Sequence, residues 1–320
     1  MTTYNKPPLT FQQQVELLKS RGLEITDEQR AIRHLTNISY YRLSAYMLPF
    51  KIRENGQYTD QFITGTKWEN IHALYVFDRK LRLLVFDAIE RIEIGLRTQI
   101  IYQLSLKYGS HWHDRSDIFK LSSKYSKRTG KTITTDIFHD LQQHIQTLLV
   151  SNHAEVFIKH YKARYDEPVT PPSWMSVETL YFSHLSKICE NLRQRADRVA
   201  IASRFDLPPE IFCSWLHTIN NIRNICAHHG RLWNRTIDVV PEKLHVSKSN
   251  VKIWITEPER VKRSKIYYFL CMINYLLQTV NPTSDFKNRL SKLLYDYPNV
   301  ALWEMGFPKH WQRETMWKID

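Results

Sequence analysis

A continuous pattern of apolar residues at helical spacing extends over residues 68–108 and limits the possible folds of this chain. Its apolar positions recur every three or four residues, with charged residues between them: Ile71, Leu74, Leu81, Leu84, Val85, Ile89, Ile92, Leu96 and Ile100. Residues at this spacing share one face of an α-helix. The pattern therefore predicts one long core helix, or two helices end to end.

The rest of the chain also favours helices. Only 8 of the 320 residues are glycine, and none of these glycines has the spacing that Walker-type or dinucleotide-binding loops require. Strand-like alternation is scarce. We therefore expect an all-α fold, a helical bundle with N-terminal and C-terminal helical extensions. Residues 1–60 are predicted as an N-terminal segment and residues 61–320 as the main domain.

The element boundaries follow from helix caps, prolines and turn residues. Further helices are predicted within residues 9–50, with Thr10 and Thr26 as N-caps, and over residues 136–150, 154–164, 175–193, 208–229, 261–280 and 284–295. Residues 51–65 are predicted as a loop or short hairpin, and residues 251–255 as a single strand.

Charge indicates the kind of partner. The formal net charge is +13, which favours a polyanion, nucleic acid above all, although a basic surface also serves solubility. Residues 120–131 concentrate this charge, and we interpret them as a solvated loop that is either an RNA contact or a surface linker. The basic residues of this segment are Lys120, Lys124, Lys127, Arg128 and Lys131, with Tyr125 among them.

Other classes of protein and site are disfavoured. The N-terminus lacks an apolar stretch of the signal-peptide type, so we expect a cytoplasmic protein. The longest apolar run, near residues 266–277, is too short for a membrane span. The sequence HWHD at 111–114 supplies at most two metal ligands, so we expect no metal and no other cofactor. Four cysteines without a CxxC pair are interpreted as reduced core residues: Cys189, Cys213, Cys226 and Cys271.

The residues IRNICAHHGRLWNR at 222–235 place an Arg, an Asn and a His at the end of one predicted helix. Arg223 supplies a permanent cation for a phosphate, Asn224 an orienting amide, and His228 a group that exchanges a proton near neutral pH. These groups suffice for attack of a ribose 2′-hydroxyl on the adjacent phosphate without a metal. DNA lacks that hydroxyl, so RNA is the predicted substrate.

Two interpretations of this helix end remain open. One is a catalytic site on a polar face without Lys or Glu, formed by His217, Asn221, Asn224 and His228 opposite the apolar stripe Phe212, Trp215, Ile219, Ile222 and Cys226. The other is a helix-capping histidine with a structural Arg, and Gly230 at the C′ position. Arg223 and His228 lie about 140° apart on an ideal helix. A shared site then requires a loosened helix end near Ala227 or, as we favour, two copies of the chain.

The motif resembles the signature of the Abi-like abortive-infection proteins, the AbiD/AbiF family. Four other segments resemble that family in the same order: NISYYRLSAY at 37–46, FDRKLR at 77–82, IERIE at 89–93 and PSWM at 172–175. The resemblance covers nearly the whole chain. It is therefore far more specific than an Arg and a His five residues apart.

This resemblance implies a HEPN-type bundle, a homodimer that pairs two Arg-x4-6-His motifs, and metal-independent ribonuclease activity in bacterial defence against phage. Arg223, Asn224 and His228 are the matching positions. Some members of the family bind a structured noncoding RNA, so a non-cleaving RNA-binding protein is the alternative function. Supporting roles near the motif are assigned to Glu90, Arg97 and His229, although Glu93 and Arg97 also have the spacing of an ordinary helical ion pair. The RNA-contacting residues are predicted as Lys124, Lys127, Arg128, Lys131, Arg231 and Arg235.

Overall fold

The computed structural model describes residues 3, 7–126, 130–244 and 253–318. The fold is mostly helical, which confirms the predicted all-α class. The helices are α1 (Phe11–Ser20), α2 (Glu28–Ile38), α3 (Tyr40–Met47), α4 (Trp68–Tyr108), α5 (Ile137–Val150), α6 (Val156–Arg164), α7 (Ser173–Ser176), α8 (Phe182–Asn191), α9 (Arg195–Ser203), α10 (Pro209–Ala227), α11 (Ile266–Val280) and α12 (Phe286–Asp296). None of the helices in this part of the chain combines the length and apolar character needed to cross a membrane.

Two antiparallel hairpins accompany the helices. Strands β1 (Lys51–Glu54) and β2 (Gln57–Phe62) form the first, in the segment predicted as a loop or short hairpin. Strands β3 (Ser122–Ser126) and β4 (Lys131–Thr135) form the second. The prediction of a solvated loop over residues 120–131 is therefore wrong. The β-branched residues of β4 suit an extended strand, and Gly130, with a φ of 64°, supplies the turn.

Several predicted helix boundaries change in the structure. Thr10 caps α1 in a capping box, as predicted, but Asp27 rather than Thr26 caps α2 by accepting a hydrogen bond from the Arg30 amide. The predicted helix over residues 175–193 is interrupted, because Leu180 and Tyr181 are extended. Helix α9 was not predicted. Residues 253–255 are not a strand, and residues 251–252 lie outside the described residues.

Packing divides the chain into two compact units, residues 1–83 with 290–301 and residues 84–289 with 302–320. Helix α4 contributes residues to both units, as does α12. The predicted domain boundary near residue 60 stays a prediction.

In the first unit a buried polar group joins α3 to α4. The carboxylate of Asp78, which is fully buried, accepts a hydrogen bond from the Tyr46 hydroxyl (2.6 Å) and pairs with Arg82 one turn further along α4. Burial of this carboxylate is compensated because a cation and a hydroxyl both contact it.

The second unit surrounds α11, in which nearly every residue from Ile266 to Leu277 is buried. The β-carbon that a side chain at Gly95 would add lies 2.6 Å from Val280 Cγ1, so glycine allows α4 and α11 to approach each other closely. Helix α10 packs against α8 and α9. Trp311 and Trp317 are buried, as a docked C-terminal segment requires, whereas Trp303 is 75% exposed.

Candidate active site

The helix α10 begins and ends at residues that suit those positions. Pro208 and Pro209 form its first turn, where a missing backbone N–H costs no hydrogen bond. The predicted apolar stripe is confirmed, because every member from Phe212 to Cys226 is buried. On the opposite side His217, Asn224 and His228 are exposed. This burial pattern leaves the polar face of α10 open to a ligand.

The C-terminal end of α10 has the hydrogen bonds of a Schellman motif. The Gly230 amide donates to the Ile225 carbonyl (2.8 Å) and the His229 amide donates to the Cys226 carbonyl (3.1 Å). His229, with a φ of 56°, occupies the left-handed C′ position. The prediction of Gly230 at C′ is therefore wrong by one residue. Glycine suits position 230 because an added β-carbon would lie 3.2 Å from both the carbonyl oxygen and the side chain of Ile225, a tight contact.

His228 is the C-cap residue of α10. Its backbone has φ −88° and ψ 15°, outside ordinary helical values. The helix thus ends at Ala227, and the shared site of Arg223 and His228 stays a prediction. His228 and Asn224 are both exposed.

Arg223 lies on the side of α10 that faces α4. Its guanidinium carbon is 5.7 Å from the centroid of the Phe86 ring, in a cation–π contact. Its Nε atom is buried and has no hydrogen-bond partner among the described residues. An unsatisfied guanidinium nitrogen is a suitable donor for an anion that enters beside it.

A cleft of about 300 Å³ lies beside this contact and is lined by Arg223 and by residues of α4. Phe86, Ile89, Glu90, Glu93, Ile94 and Arg97 line its α4 side. Glu90 and Arg97 therefore line the same cleft as Arg223, while their supporting roles stay predictions. The structure adds Phe86, which the sequence did not single out, and Glu93, which was interpreted from the sequence only as the ion-pair partner of Arg97. A spacing of three to four residues along one face of α4 is the signal that joins them to Glu90 and Arg97.

Glu93 and Arg97 form an anchored pair in this cleft. Arg97 Nη2 donates to Glu93 Oε1 (3.0 Å) and to the Leu180 carbonyl (2.8 Å), and Arg97 Nη1 lies 3.5 Å from Glu178 Oε2. Burial raises the pKa of Glu93, while the charges of Arg97 and Arg223 act in the opposite direction. The pair therefore fixes the extended backbone before α8 and also places a carboxylate near Arg223.

Comparison with known proteins supplies the family. Residues 33–234 of the 320 match the family model described as Abi-like protein. The chain belongs to the Abi-like protein family. The matched segment includes both the cleft residues of α4 and the end of α10. No curated protein and no solved structure matches the chain.

The basic residues predicted to contact RNA do not all fall on described residues. Lys131 is exposed on β4, whereas Lys127, Arg128 and the side chain of Lys124 lie outside the described residues. Arg231 and Arg235 are half-buried on either side of Leu232 and Trp233, which are fully buried and anchor the segment after α10. These two arginines belong to the same helix end as His228.

The described residues contain no group of three or more His, Cys, Asp or Glu side chains that is arranged to hold a metal ion. In the HWHD segment, His113 is buried and its pKa is lowered to about 4, chiefly by that burial. The Asp114 carboxylate accepts hydrogen bonds from Thr170 and Gln142. Trp112 and His113 therefore belong to the interior, whereas Asp114 is exposed.

Proposed function

We propose that this Abi-like protein is a metal-independent endoribonuclease that acts as a toxin-like effector in abortive infection. The observation that carries the proposal is the placement of Arg223 beside an open cleft with Asn224 and His228 exposed at the end of the same helix. The family supports the defence role, and the resemblance of the motif to HEPN ribonucleases supports the reaction.

The reaction is an internal transfer at the RNA phosphate. His228 takes the proton of the ribose 2′-hydroxyl as the 2′-oxygen forms a bond to phosphorus. The bond from phosphorus to the 5′-oxygen breaks, and that oxygen receives a proton from an imidazolium, His228 or its counterpart in a second copy. Arg223 stabilises the negative charge that develops on the phosphate oxygens. Asn224 orients His228 or the phosphate, and the products are a 2′,3′-cyclic phosphate and a free 5′-hydroxyl.

A second copy of the chain completes the site in this proposal. Phe86 and Ile94, at the cleft, are 36% and 54% exposed, and apolar side chains beside a charged cleft favour a protein interface. A two-fold axis here pairs the two copies of Arg223 and His228. The pairing supplies one histidine as base and the other as acid.

RNA reaches this site by electrostatic attraction. The net charge of +13 attracts a polyanion over a long range. Arg231 and Arg235 follow the site directly, and the exposed Lys131 lies in the basic β3–β4 hairpin. We propose these residues as phosphate contacts, with Lys124, Lys127 and Arg128 added from the sequence alone.

The alternative function is a non-cleaving RNA-binding protein that holds a structured noncoding RNA. It uses the same basic residues, and it predicts that Arg223 and His228 contribute to binding only. The two functions differ in a measurable way, because a binding protein leaves RNA intact at every protein concentration.

The deciding experiment is cleavage of end-labelled RNA by nucleic-acid-free protein in excess EDTA. We expect wild type to produce 2′,3′-cyclic phosphate ends, and His228→Ala and Arg223→Ala to lose cleavage while His228→Ala still binds RNA. His153→Ala is the control, since His153 is an exposed histidine that lies outside α10 and does not line the cleft. RNA that is bound by wild type without any cleavage would favour the alternative.

The defence role has its own test. Bacteria that express wild type should stop growing on phage infection and release few phage, whereas bacteria that express His228→Ala should lyse normally. Equal protection by the two proteins would show that defence does not depend on cleavage.

A further inference from the structure

Three aromatic side chains that the proposed reaction does not use form a cluster where α5 meets α8. The Tyr181 and His184 rings stack with centroids 5.6 Å apart and an interplanar angle of 23°. The edge of His144 meets Tyr181 with centroids 5.5 Å apart, and His144 lies 5.1 Å from His184. We call Tyr181, His184 and His144 the aromatic cluster.

Hydrogen bonds hold the two histidine rings in place. His184 Nδ1 accepts a hydrogen bond from the Tyr181 amide (3.2 Å), and His144 Nε2 donates to the Thr179 carbonyl (3.1 Å). Burial, aided by His144 and Lys187 and opposed by Asp140, lowers the pKa of His184 to about 4, so the His184 ring is neutral near pH 7. The cluster therefore presents ring surfaces that are fixed in position.

Tyr181 is the exposed member of the cluster. It is 62% exposed although its ring stacks on His184. A large ring that is backed by a second ring and open to solvent resembles the surfaces on which nucleic-acid bases stack.

The cluster lies next to the candidate active site. Arg97, which lines the cleft with Arg223, donates a hydrogen bond to the carbonyl of Leu180, the residue before Tyr181. The same guanidinium holds Glu93 within the cleft. One anchored side chain thus connects the phosphate-binding cleft to the aromatic cluster.

We propose that the aromatic cluster is a nucleobase-binding site, in which Tyr181 stacks on an unpaired base of the RNA whose phosphate lies at Arg223. This inference rests on the proposed function for the identity of its ligand. An unpaired base is required because both faces of a base within a duplex are covered by its neighbours. Stacking on uncharged rings also makes this contribution less sensitive to salt than the phosphate contacts are.

The test measures RNA binding in a His228→Ala background, so that cleavage does not consume the probe. The probes are a fluorescently labelled single-stranded oligoribonucleotide and a blunt duplex of the same sequence. Tyr181→Ala should weaken binding of the single strand by about 10-fold and leave binding of the duplex unchanged. Tyr181→Phe keeps the ring and should bind both probes as the parent does. Tyr295→Ala, at a tyrosine that is 84% exposed in α12, should also have no effect.

The outcomes separate this proposal from the nuclease. Three results would overturn the nucleobase site. Tyr181→Ala could bind the single strand as tightly as the parent does, or it could lose the same affinity for both probes. The third is a parent protein that does not bind RNA. If wild type never cleaves RNA but Tyr181→Ala still loses affinity for the single strand alone, the nucleobase site is supported and the nuclease is overturned. Circular dichroism melting of each variant identifies any loss that is due to unfolding.

Discussion

The guanidinium of Arg223 lies over the ring of Phe86, with 5.7 Å between the guanidinium carbon and the ring centroid. This contact joins α10 to α4 across the cleft of the candidate site. A cation–π contact orients a guanidinium and leaves its N–H groups available to a phosphate.

Loss of the Phe86 ring should therefore slow cleavage without removing a reacting group. We expect Phe86→Ala to lower the single-turnover rate by about 5-fold, because a cation–π contact of roughly 1 kcal/mol no longer orients Arg223. Phe86→Tyr keeps a ring and should stay within about 2-fold of wild type. Equal rates for Phe86→Ala and wild type, at equal molecular mass in solution, would show that the contact does not position Arg223.

The proposed second copy can be tested at Ile94. Its side chain is 54% exposed beside the cleft, so a charge there would be desolvated in the dimer. We expect Ile94→Lys to be a folded monomer by light scattering and to lose cleavage. Ile253, which is 49% exposed and does not line the cleft, provides the matched control Ile253→Lys. Dimeric, active Ile94→Lys protein would place the interface elsewhere.

For Gly95→Ala, helix propensity and packing predict opposite changes in stability. Alanine in the middle of a helix is favoured over glycine by about 1 kcal/mol. Gly95→Ala should nevertheless destabilise the protein by about 1–3 kcal/mol, because the new β-carbon would lie 2.6 Å from Val280 Cγ1. The measurement is the urea dependence of unfolding. The double variant Gly95→Ala with Val280→Ala should lose less free energy of unfolding than the two single variants lose in sum.

His113 should make stability depend on pH. Burial lowers its pKa to about 4 from the ordinary 6.5, with Asp114 raising it and His111 lowering it. The folded protein therefore favours the neutral ring. Above pH 6.5 the neutral His113 ring makes its full contribution to the free energy of unfolding. As the pH decreases from 6.5 to 4, the free energy of unfolding falls by up to about 3 kcal/mol.

The measurement is the free energy of unfolding between pH 7 and pH 4 for wild type and for His113→Gln. We expect a shallower decrease in the variant, because residue 113 no longer titrates. Parallel pH profiles of the two proteins would rule out this role for His113.

Several features of the fold follow from short-range patterns in the sequence. The repeat over residues 68–108 predicted α4, and Asp136 marked the start of α5. The apolar stripe of α10 was also predicted correctly, since all its members are buried. Such patterns suffice because helical periodicity and capping depend on residues within a few positions of each other.

Other features depend on residues far apart in the chain. The extended backbone at Leu180 interrupts a segment with helical periodicity, and Arg97 of α4 holds its carbonyl. The β3–β4 hairpin depends on pairing between two strands that an apolar repeat does not reveal.

The sequence by itself determined the all-α class, the family signature, and the types of residue available for chemistry, because these depend on local pattern and residue identity. Only the tertiary structure decided that Arg223 lies on Phe86 beside a cleft that Glu93 and Arg97 also line. It also placed the aromatic cluster next to that cleft. The physical reason is that side chains from separate helices become neighbours only through long-range packing, which no periodicity within one helix specifies.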